Sequence, residues 1–393
     1  MAATLDFRTV AESAFRYSRH GGVACQRVEL QHAVVPGEDC GALGWAQRSD
    51  GRDGAVATTL QEVASRAGVS LATASRVLNR SDRHPRPEIV ARVRAAADQL
   101  GYVPHAQAQA LARASSDLVG LVVHDIADPY FSMIAGGVQA VAQPQGKQTL
   151  LASTGRDPEV EVDAVRSLAS QRTQAIILAG SRRTRADAVH HELVAVSRMY
   201  ERNGGRLAFI GQQLEGFSAV VPDNRGGARR LARSLVEQGH ESFAVVEGPR
   251  WLRTSVDRAD AFRREVGKER VAWSARTGFS REGGYAAAYS TLRERSGTSP
   301  VCVFAVSDVM ALGVLAACRD LGLAVPDEVA VAGFDDIPTL LDVTPGLTTV
   351  ALDLRAMGAR AAELALDRAT GVERVLVSAE IRLRASTDLH GRS

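Results

Sequence analysis

A small set of side chains in this sequence has the chemistry to hold a hydroxyl-rich molecule. Asp125, Tyr130 and Phe131 follow the apolar run LVGLVV, and Phe279 follows the strand-like segment 271–277. Arg258 lies in a helical stretch after FAVVEG, Asp308 closes VCVFAV, and Asp335 closes VAVAGF. Aromatic rings cover the C–H faces of a polyol, while carboxylates and a guanidinium bond its hydroxyls. Plainer roles fit the same residues: Phe131 and Phe279 as core rings, Asp308 as a helix N-cap, Asp335 as a turn cap, Arg258 in a surface ion pair. No catalytic set stands beside them. The sequence has no P-loop, no G-x-S-x-G, no H-E-x-x-H and no Cys/His ligand cluster. Asp223-Asn224-Arg225-Gly226-Gly227 opens a helix but lacks the G-x-G-x-x-G of a dinucleotide loop. His190 and His191 are adjacent on a helix, so they point to different faces and make a poor metal pair. No metal, no cofactor and no enzymatic activity are expected.

The elements that must position these residues alternate. LVGLVV, QTLLAS, AIILAG, RLAFIG, FAVVEG, VCVFAV and VAVAGF read as short buried strands. Segments such as EVDAVRSLASQ and GARRLARSLVEQGH between them read as amphipathic helices. Strand–helix alternation gives parallel sheets covered by helices on both faces. The stretch from Leu118 onward is too long for one small sheet, so two Rossmann-like lobes are expected. Ligands in such folds sit at the carboxyl ends of the strands, where the candidate residues fall.

Residues 59–79, TLQEVASRAGVSLATASRVLN, have a different character. Thr59 with Glu62 three residues on is a capping box. Leu60, Val63, Ala64 and Ala67 form a helical apolar stripe. Gly68 supplies the positive φ of a tight turn, and Ser70 caps a second helix. In that helix Ala74, Val77 and Leu78 face inward, leaving Leu71, Ala72, Thr73, Ser75 and Arg76 outward. A short polar face with one arginine suits close approach to phosphates and base edges. A third helix starts at Pro87, presents Ile89, Val93, Ala96, Ala97 and Leu100, and stops at Gly101. From 59 to 113 there are eight arginines against four acidic residues. This is a basic module on a chain whose net charge is only +2, a distribution that fits nucleic-acid binding through a dedicated domain.

The 393 residues are 45% hydrophobic and 23% charged, ordinary globular composition with room for two or three domains. The four cysteines, Cys25, Cys40, Cys302 and Cys318, have neither disulfide-framework nor metal spacing. No apolar run is long enough to span a membrane, and the first residues lack a secretory pattern. A cytoplasmic location without membrane contact is therefore expected. Residues 1–57 have weak periodicity. They are expected to be disordered, or to reflect a mis-assigned start with initiation at Val56.

The segment 59–79 strongly resembles the DNA-binding headpiece of the lactose-repressor/galactose-repressor (LacI/GalR) family, whose signature is TLxDVAxxAGVSxATVSRVLN. It departs at Ala74, where the family has valine. The loop at His84-Pro85-Arg86 is one residue longer than usual and lacks the serine cap before the proline. Further anchors are DPYF, VPDNRGGARRLARSLVEQGH, SDVMALG, VPDEVAVAGFDDIP and TPGLTTV.

The resemblance implies a helix-turn-helix headpiece over 58–102 and a hinge helix and linker over 103–117. A periplasmic-binding-protein-like core over 118–390 follows. Its N-lobe would take about 118–222 and 351–374, and its C-lobe about 223–350 and 375–390, with crossings near 222, 350 and 375. It also implies a ligand-controlled transcriptional regulator, usually a repressor. Such a protein binds palindromic double-stranded DNA as a homodimer and answers to a sugar or sugar derivative. No family-type tetramerising tail follows Arg384, which favours the dimer.

By the same match the DNA contacts are Thr59, Ser70, Leu71, Ala72, Thr73, Ser75, Arg76 and Asn79 in the headpiece. In the hinge they are His105, Gln109, Leu111 and Ala112, with Leu111 as the minor-groove wedge. The ligand arginine falls on Arg258, the stacking aromatics on Phe131 and Phe279, and the ligand aspartate on Asp335. Ser307 replaces the usual asparagine before Asp308. Leu252 stands where the purine-binding branch has arginine, which argues against a purine, and the adjacent Trp251 is placed to cover the cleft. Two other classes compete: a cytoplasmic sugar-binding protein without operator binding, and an enzyme built on the same lobes.

Overall fold

The computed structural model describes residues 58–78, 85–103, 116–294, 299–367 and 371–389. Asn79, His105, Gln109, Leu111 and Ala112 lie outside the described residues, as do residues 1–57.

Helix α1 (Leu60–Ala67) starts at a reciprocal cap: the Thr59 side chain accepts from the Glu62 N–H, and the Glu62 carboxylate accepts from the Thr59 N–H at 2.7 Å. It ends at Gly68, whose φ of 64° would strain a residue carrying a Cβ. Ser70 then holds the Thr73 N–H at 3.2 Å and opens α2 (Leu71–Leu78). Helix α3 (Pro87–Gln99) has Arg86 at its N-cap with no side-chain cap bond. Its first turn is held instead by the Arg86 carbonyl, which accepts from Ile89 and Val90. Val63, Ala64, Ala67, Ala74, Val77, Val93, Ala96 and Ala97 form the buried centre. These residues are small, so the three helices pack closely.

From Leu118 the chain builds two parallel sheets. The first contains β1 (Leu118–Val123), β2 (Gln148–Ser153), β3 (Ala175–Gly180), β4 (Arg206–Gly211), β5 (Ser218–Pro222) and, much later, β11 (Arg374–Val377), in the order β11-β5-β4-β3-β1-β2. Helices α4 (Pro129–Ala142) and α11 (Leu354–Leu366) pack together on one face, with α5 (Pro158–Ser170) and α6 (Ala188–Arg202) on the other. Strand alternation divides β1 between them: Leu121 and Val123 join one core, Val122 the other. Helices α4 and α11 touch backbone to backbone. A Cβ at Gly137 would lie 2.0 Å from the Arg355 carbonyl oxygen.

The second sheet has the order β7-β6-β8-β9, from β6 (Phe243–Glu247), β7 (Val271–Arg276), β8 (Val301–Ala305) and β9 (Val329–Ala332). Helices α7 (Asn224–Glu237) and α8 (Arg253–Val266) pack as one pair, and α9 (Arg281–Arg293) and α10 (Asp308–Leu321) as another. A small antiparallel pair joins β10 (Thr349–Ala351) to β12 (Glu380–Arg382).

The chain passes between lobes after β5, after β10 and after β11. Val375 to Val377 pair with Val220 to Pro222. The third crossing therefore falls beyond Val377 rather than near 375, because the edge of the first sheet still has unpaired backbone groups to satisfy. QTLLAS, read as a buried run, is the opposite edge strand and is largely half-buried or exposed. Strands β5, β10, β11 and β12 lack the strong apolar runs of the others. Among the described residues no helix is long and apolar enough to cross a membrane.

Candidate functional site: an interlobe cleft and a helix-turn-helix face

The carboxyl ends of the two sheets face each other across a cleft with about 490 Å³ of unfilled space, partly open to solvent. The first lobe contributes His124, Asp128, Tyr130, Phe131, Arg156, Gly180, Ser181 and Gly211; the second contributes Leu252, Thr254, Arg258, Phe279 and Asp335. Each ends a strand, follows one or lies in the helix after one, so strand polarity gathers them.

Arg258 is the anchor of the second lobe. Its side chain is 2% exposed, and its guanidinium donates to Asp335 in a fork at 2.7 and 3.1 Å. The Nε–H donates to Asn224 at 2.8 Å, and Nη1 also donates to the Val306 carbonyl at 2.8 Å. The guanidinium lies 3.7 Å from the Phe334 ring centroid. Asp335 takes a φ of 118°, a conformation that costs a side-chain-bearing residue and persists only where its surroundings fix it. Burial raises the Asp335 carboxyl to about 6, with Arg258 pulling the other way.

Across the cleft, Tyr130 and Phe131 meet edge to face with centroids 5.0 Å apart. Asp128 caps α4 by accepting from the Tyr130 N–H at 3.0 Å. Burial raises its pKa, and Arg156, 3.8 Å away, partly offsets this. Arg156 also sits 5.4 Å from the Phe279 centroid, joining the lobes over the cleft. Burial, then Arg182, lowers His124 to about 3, so its imidazole is neutral. A Cβ at Gly180 would lie 2.3 Å from the His124 ring, so only glycine leaves that ring its place. The result is three aromatic faces with acceptors (Asp128, Asp335) and donors (Arg156, Arg258, Ser181, Thr254) around them. Such a lining suits a molecule with both C–H faces and hydroxyls.

The lobes also touch at one rim. Arg183 and Leu252 form a β-bridge, Thr184 N–H donates to the Trp251 carbonyl at 2.9 Å, and Thr254 N–H donates to Ser181 Oγ at 2.9 Å.

Of the sequence-predicted ligand residues, Tyr130, Phe131, Arg258, Phe279 and Asp335 come together in the cleft. Three do not. Asp308 is fully buried, where it accepts from Thr349 Oγ1 at 2.6 Å and from the Ile337 N–H at 3.0 Å. The helix cap that was its alternative role belongs to Ser307. Asp125 turns outward to accept from the Ala127 N–H at 3.0 Å. Trp251 lines a neighbouring hollow, with the Arg183 guanidinium 5.6 Å from its ring. His124, Asp128, Arg156, Ser181 and Thr254 were missed by sequence reasoning. The first four follow β1, β2 and β3, and their position at strand ends was the available signal.

Burial, with the nearby Asp335 charge, raises Asp308 to about 7. A carboxyl raised on folding binds more protons folded than unfolded. Its stabilising share is complete below the unfolded value of 3.8 and is lost as pH rises to about 7. Asp308→Asn should therefore flatten the fall in stability over that window, as read by denaturation midpoints from pH 4 to pH 8.

In the headpiece, α2 presents Leu71, Ala72 and Arg76 as exposed residues, with Leu71 46% exposed, and Thr73 and Ser75 as half-buried ones. The Ser70 and Thr73 hydroxyls are hydrogen-bonded at 2.8 Å. Buried Ala74 and Val77 hold the opposite face.

A three-helix headpiece followed by two Rossmann-like lobes, hinged at three crossings around a cleft, defines a class: a DNA-binding module joined to a periplasmic-binding-protein-like receptor. Comparison with known proteins agrees. Residues 59–105 match the model of bacterial regulatory proteins of the lacI family, and residues 232–387 match a periplasmic binding protein-like domain. The chain is 33% identical over 319 residues to the HTH-type transcriptional regulator GalS of Salmonella typhimurium, covering 80% of this chain and 90% of that one. A lac repressor dimer bound to operator and the anti-inducer ONPF aligns with a TM-score of 0.70 and 25% identity, and a CelR–cellobiose complex with 0.58 and 29%. Each alignment covers 84% of this chain and 99% of the other. The chain belongs to the lacI family of bacterial regulatory proteins and is a helix-turn-helix transcriptional regulator.

Proposed function

We propose that this regulator is a repressor whose grip on a palindromic operator is controlled by a sugar or sugar derivative held between its lobes. The carrying observation is the cleft lining, with Phe131, Tyr130 and Phe279 beside the buried Arg258–Asp335 pair. The cellobiose-bound neighbour supports a sugar.

A headpiece this small touches too few bases to be selective alone, so a homodimer on two half-sites is the working unit. Thr59 and Ser70 hold the helix starts that meet phosphate. Leu71, Ala72, Thr73, Ser75, Arg76 and Asn79 face the major groove. His105, Gln109, Leu111 and Ala112, outside the described residues, are the proposed minor-groove contacts, with Leu111 as the wedge. Ligand closes the lobes, alters the spacing of the two hinges and releases DNA. Control of this kind needs a coupling of roughly 1–3 kcal/mol. The protein works in the cytoplasm, where its DNA is, and performs no catalysis.

The test is binding of the full chain to DNA upstream of its own gene, with a panel of sugars added. Selective binding released by one sugar is the expected result. Sugar binding without operator binding would instead make it a cytoplasmic sugar-binding protein, and turnover of the sugar would make it an enzyme.

A further inference from the structure

Among the described residues, an aspartate or a serine stands directly before each of α4, α5, α6, α7, α9, α10 and α11, and its side chain accepts from an N–H of the first turn. Helix α8 differs. Leu252 stands in that position and has no acceptor to offer. The first N–H groups of a helix have no partner inside it, so those of α8 must be met from elsewhere. The other lobe meets them. The Arg253 N–H donates to the Arg182 carbonyl at 3.0 Å, and the Thr254 N–H donates to Ser181 Oγ at 2.9 Å. The Thr254 hydroxyl accepts from the Gln212 side-chain amide at 3.0 Å.

The first lobe is preorganised for this contact. Gln212 follows β4, and its amide oxygen accepts from the Arg182 N–H at 2.7 Å. That bond fixes the segment after β3 and aims the other end of the amide at α8. The contact also runs in the reverse direction. The Thr184 N–H donates to the Trp251 carbonyl at 2.9 Å, and Arg183 and Leu252 close an antiparallel bridge. Thr254 and Arg258 stand one turn apart on the cleft side of α8. The helix start that the first lobe completes therefore belongs to the helix carrying the buried anchor of the second.

We propose that residues 181–184 and Gln212 form a latch, which caps α8 when the lobes meet and uncaps it when they part. The first turn of α8 and the angle between the lobes are then one two-state element. Parting the lobes hands these donors to water together, each at a small net loss, so the latch sets the resting balance between the two arrangements. On the sugar-controlled reading proposed above, the latch makes closure around a sugar easier, because a ligand needs only to supply the remaining difference.

The test is amide hydrogen exchange of the full chain, without sugar or DNA, read by mass spectrometry on fragments covering 182–185 and 252–257. Exchange of a protected amide reports the opening that exposes it. Arg253→Pro removes the donor to Arg182 and sets a ring against that carbonyl. Proline suits the first position of a helix, and Leu252 before it is already extended, with φ −87° and ψ 106°. Arg225 remains to pair with Asp257, so α8 keeps its fold. The amides of Thr184, in the other lobe, and Thr254 should exchange about tenfold faster or more, while β1, β3 and the rest of α8 keep their protection. Ser181→Ala, which removes the acceptor of the Thr254 N–H, should accelerate the same two amides about threefold. If Arg253→Pro loses protection throughout the lobes, Ser181→Ala decides alone. Wild-type exchange at Thr184 in Ser181→Ala would overturn the latch, because the two strips would then open separately. With neither sugar nor DNA present, this result is separate from that of the operator assay.

Discussion

Replacing Arg258 by alanine is expected to lower the stability of the core by about 3–5 kcal/mol, the usual cost of stranding one partner of a buried ion pair. The change leaves the Asp335 carboxylate 5% exposed and without its fork, and removes a donor from Asn224 and from the Val306 carbonyl. Asp335 already holds a backbone conformation that its partners must fix. The measurement is the chemical denaturation midpoint. Removing both charges, as in Arg258→Met with Asp335→Leu, should recover much of the loss, since no buried charge is then unpaired. Ligand control should not return in the double variant. Recovery of stability without recovery of response separates the pair's structural role from its proposed role in holding ligand. A double variant that responds normally would remove both residues from the site.

Arg76→Ala is expected to cost about 1–3 kcal/mol of specific operator binding, roughly tenfold to a hundredfold, if its guanidinium reads a base edge. Arg76 is exposed on α2, while Ala74 and Val77 make the helix's packing contacts, so the headpiece should stay folded. A series of operators mutated one base pair at a time distinguishes the two ways an arginine serves. Loss of discrimination at one position identifies base reading. A uniform loss, with the salt dependence reduced by about one ion, identifies a phosphate contact. Unchanged affinity for every operator would take Arg76 out of the interface.

Much of this protein was legible because its signals are local. The Thr59–Glu62 box, the glycine at 68 and the apolar spacing of Val63, Ala64 and Ala67 lie within one or two helical turns, where side chains meet backbone without help from the rest of the chain. Runs such as AIILAG declare a strand buried on both faces, and β3 is buried at every position. The polarity of parallel strands then puts the residues after them on one side. For that reason the positions of Tyr130, Phe131, Phe279 and Asp335 after strands already point to a cleft.

Depth was not legible. Asp308 and Asp335 both follow a buried strand, and nothing in the neighbouring residues says which one reaches the cleft. The fold decides it: Asp308 is enclosed by Thr349, Ile337 and the bare Cα of Gly333, while Asp335 turns to Arg258, 77 residues away in sequence. QTLLAS looks apolar enough for a sheet interior, yet strand order makes it an edge. Trp251, one residue from the cleft-lining Leu252, faces a different hollow because it sits in a tight turn, in which the Leu252 N–H donates to the Pro249 carbonyl at 3.0 Å. The sequence by itself determined the element types, the helix-turn-helix module and the side of the sheets on which a ligand would sit, because periodicity and capping act over a few residues. Only the tertiary structure decided which of those side chains meet, since burial and pairing depend on contacts between elements that the chain brings together from far apart.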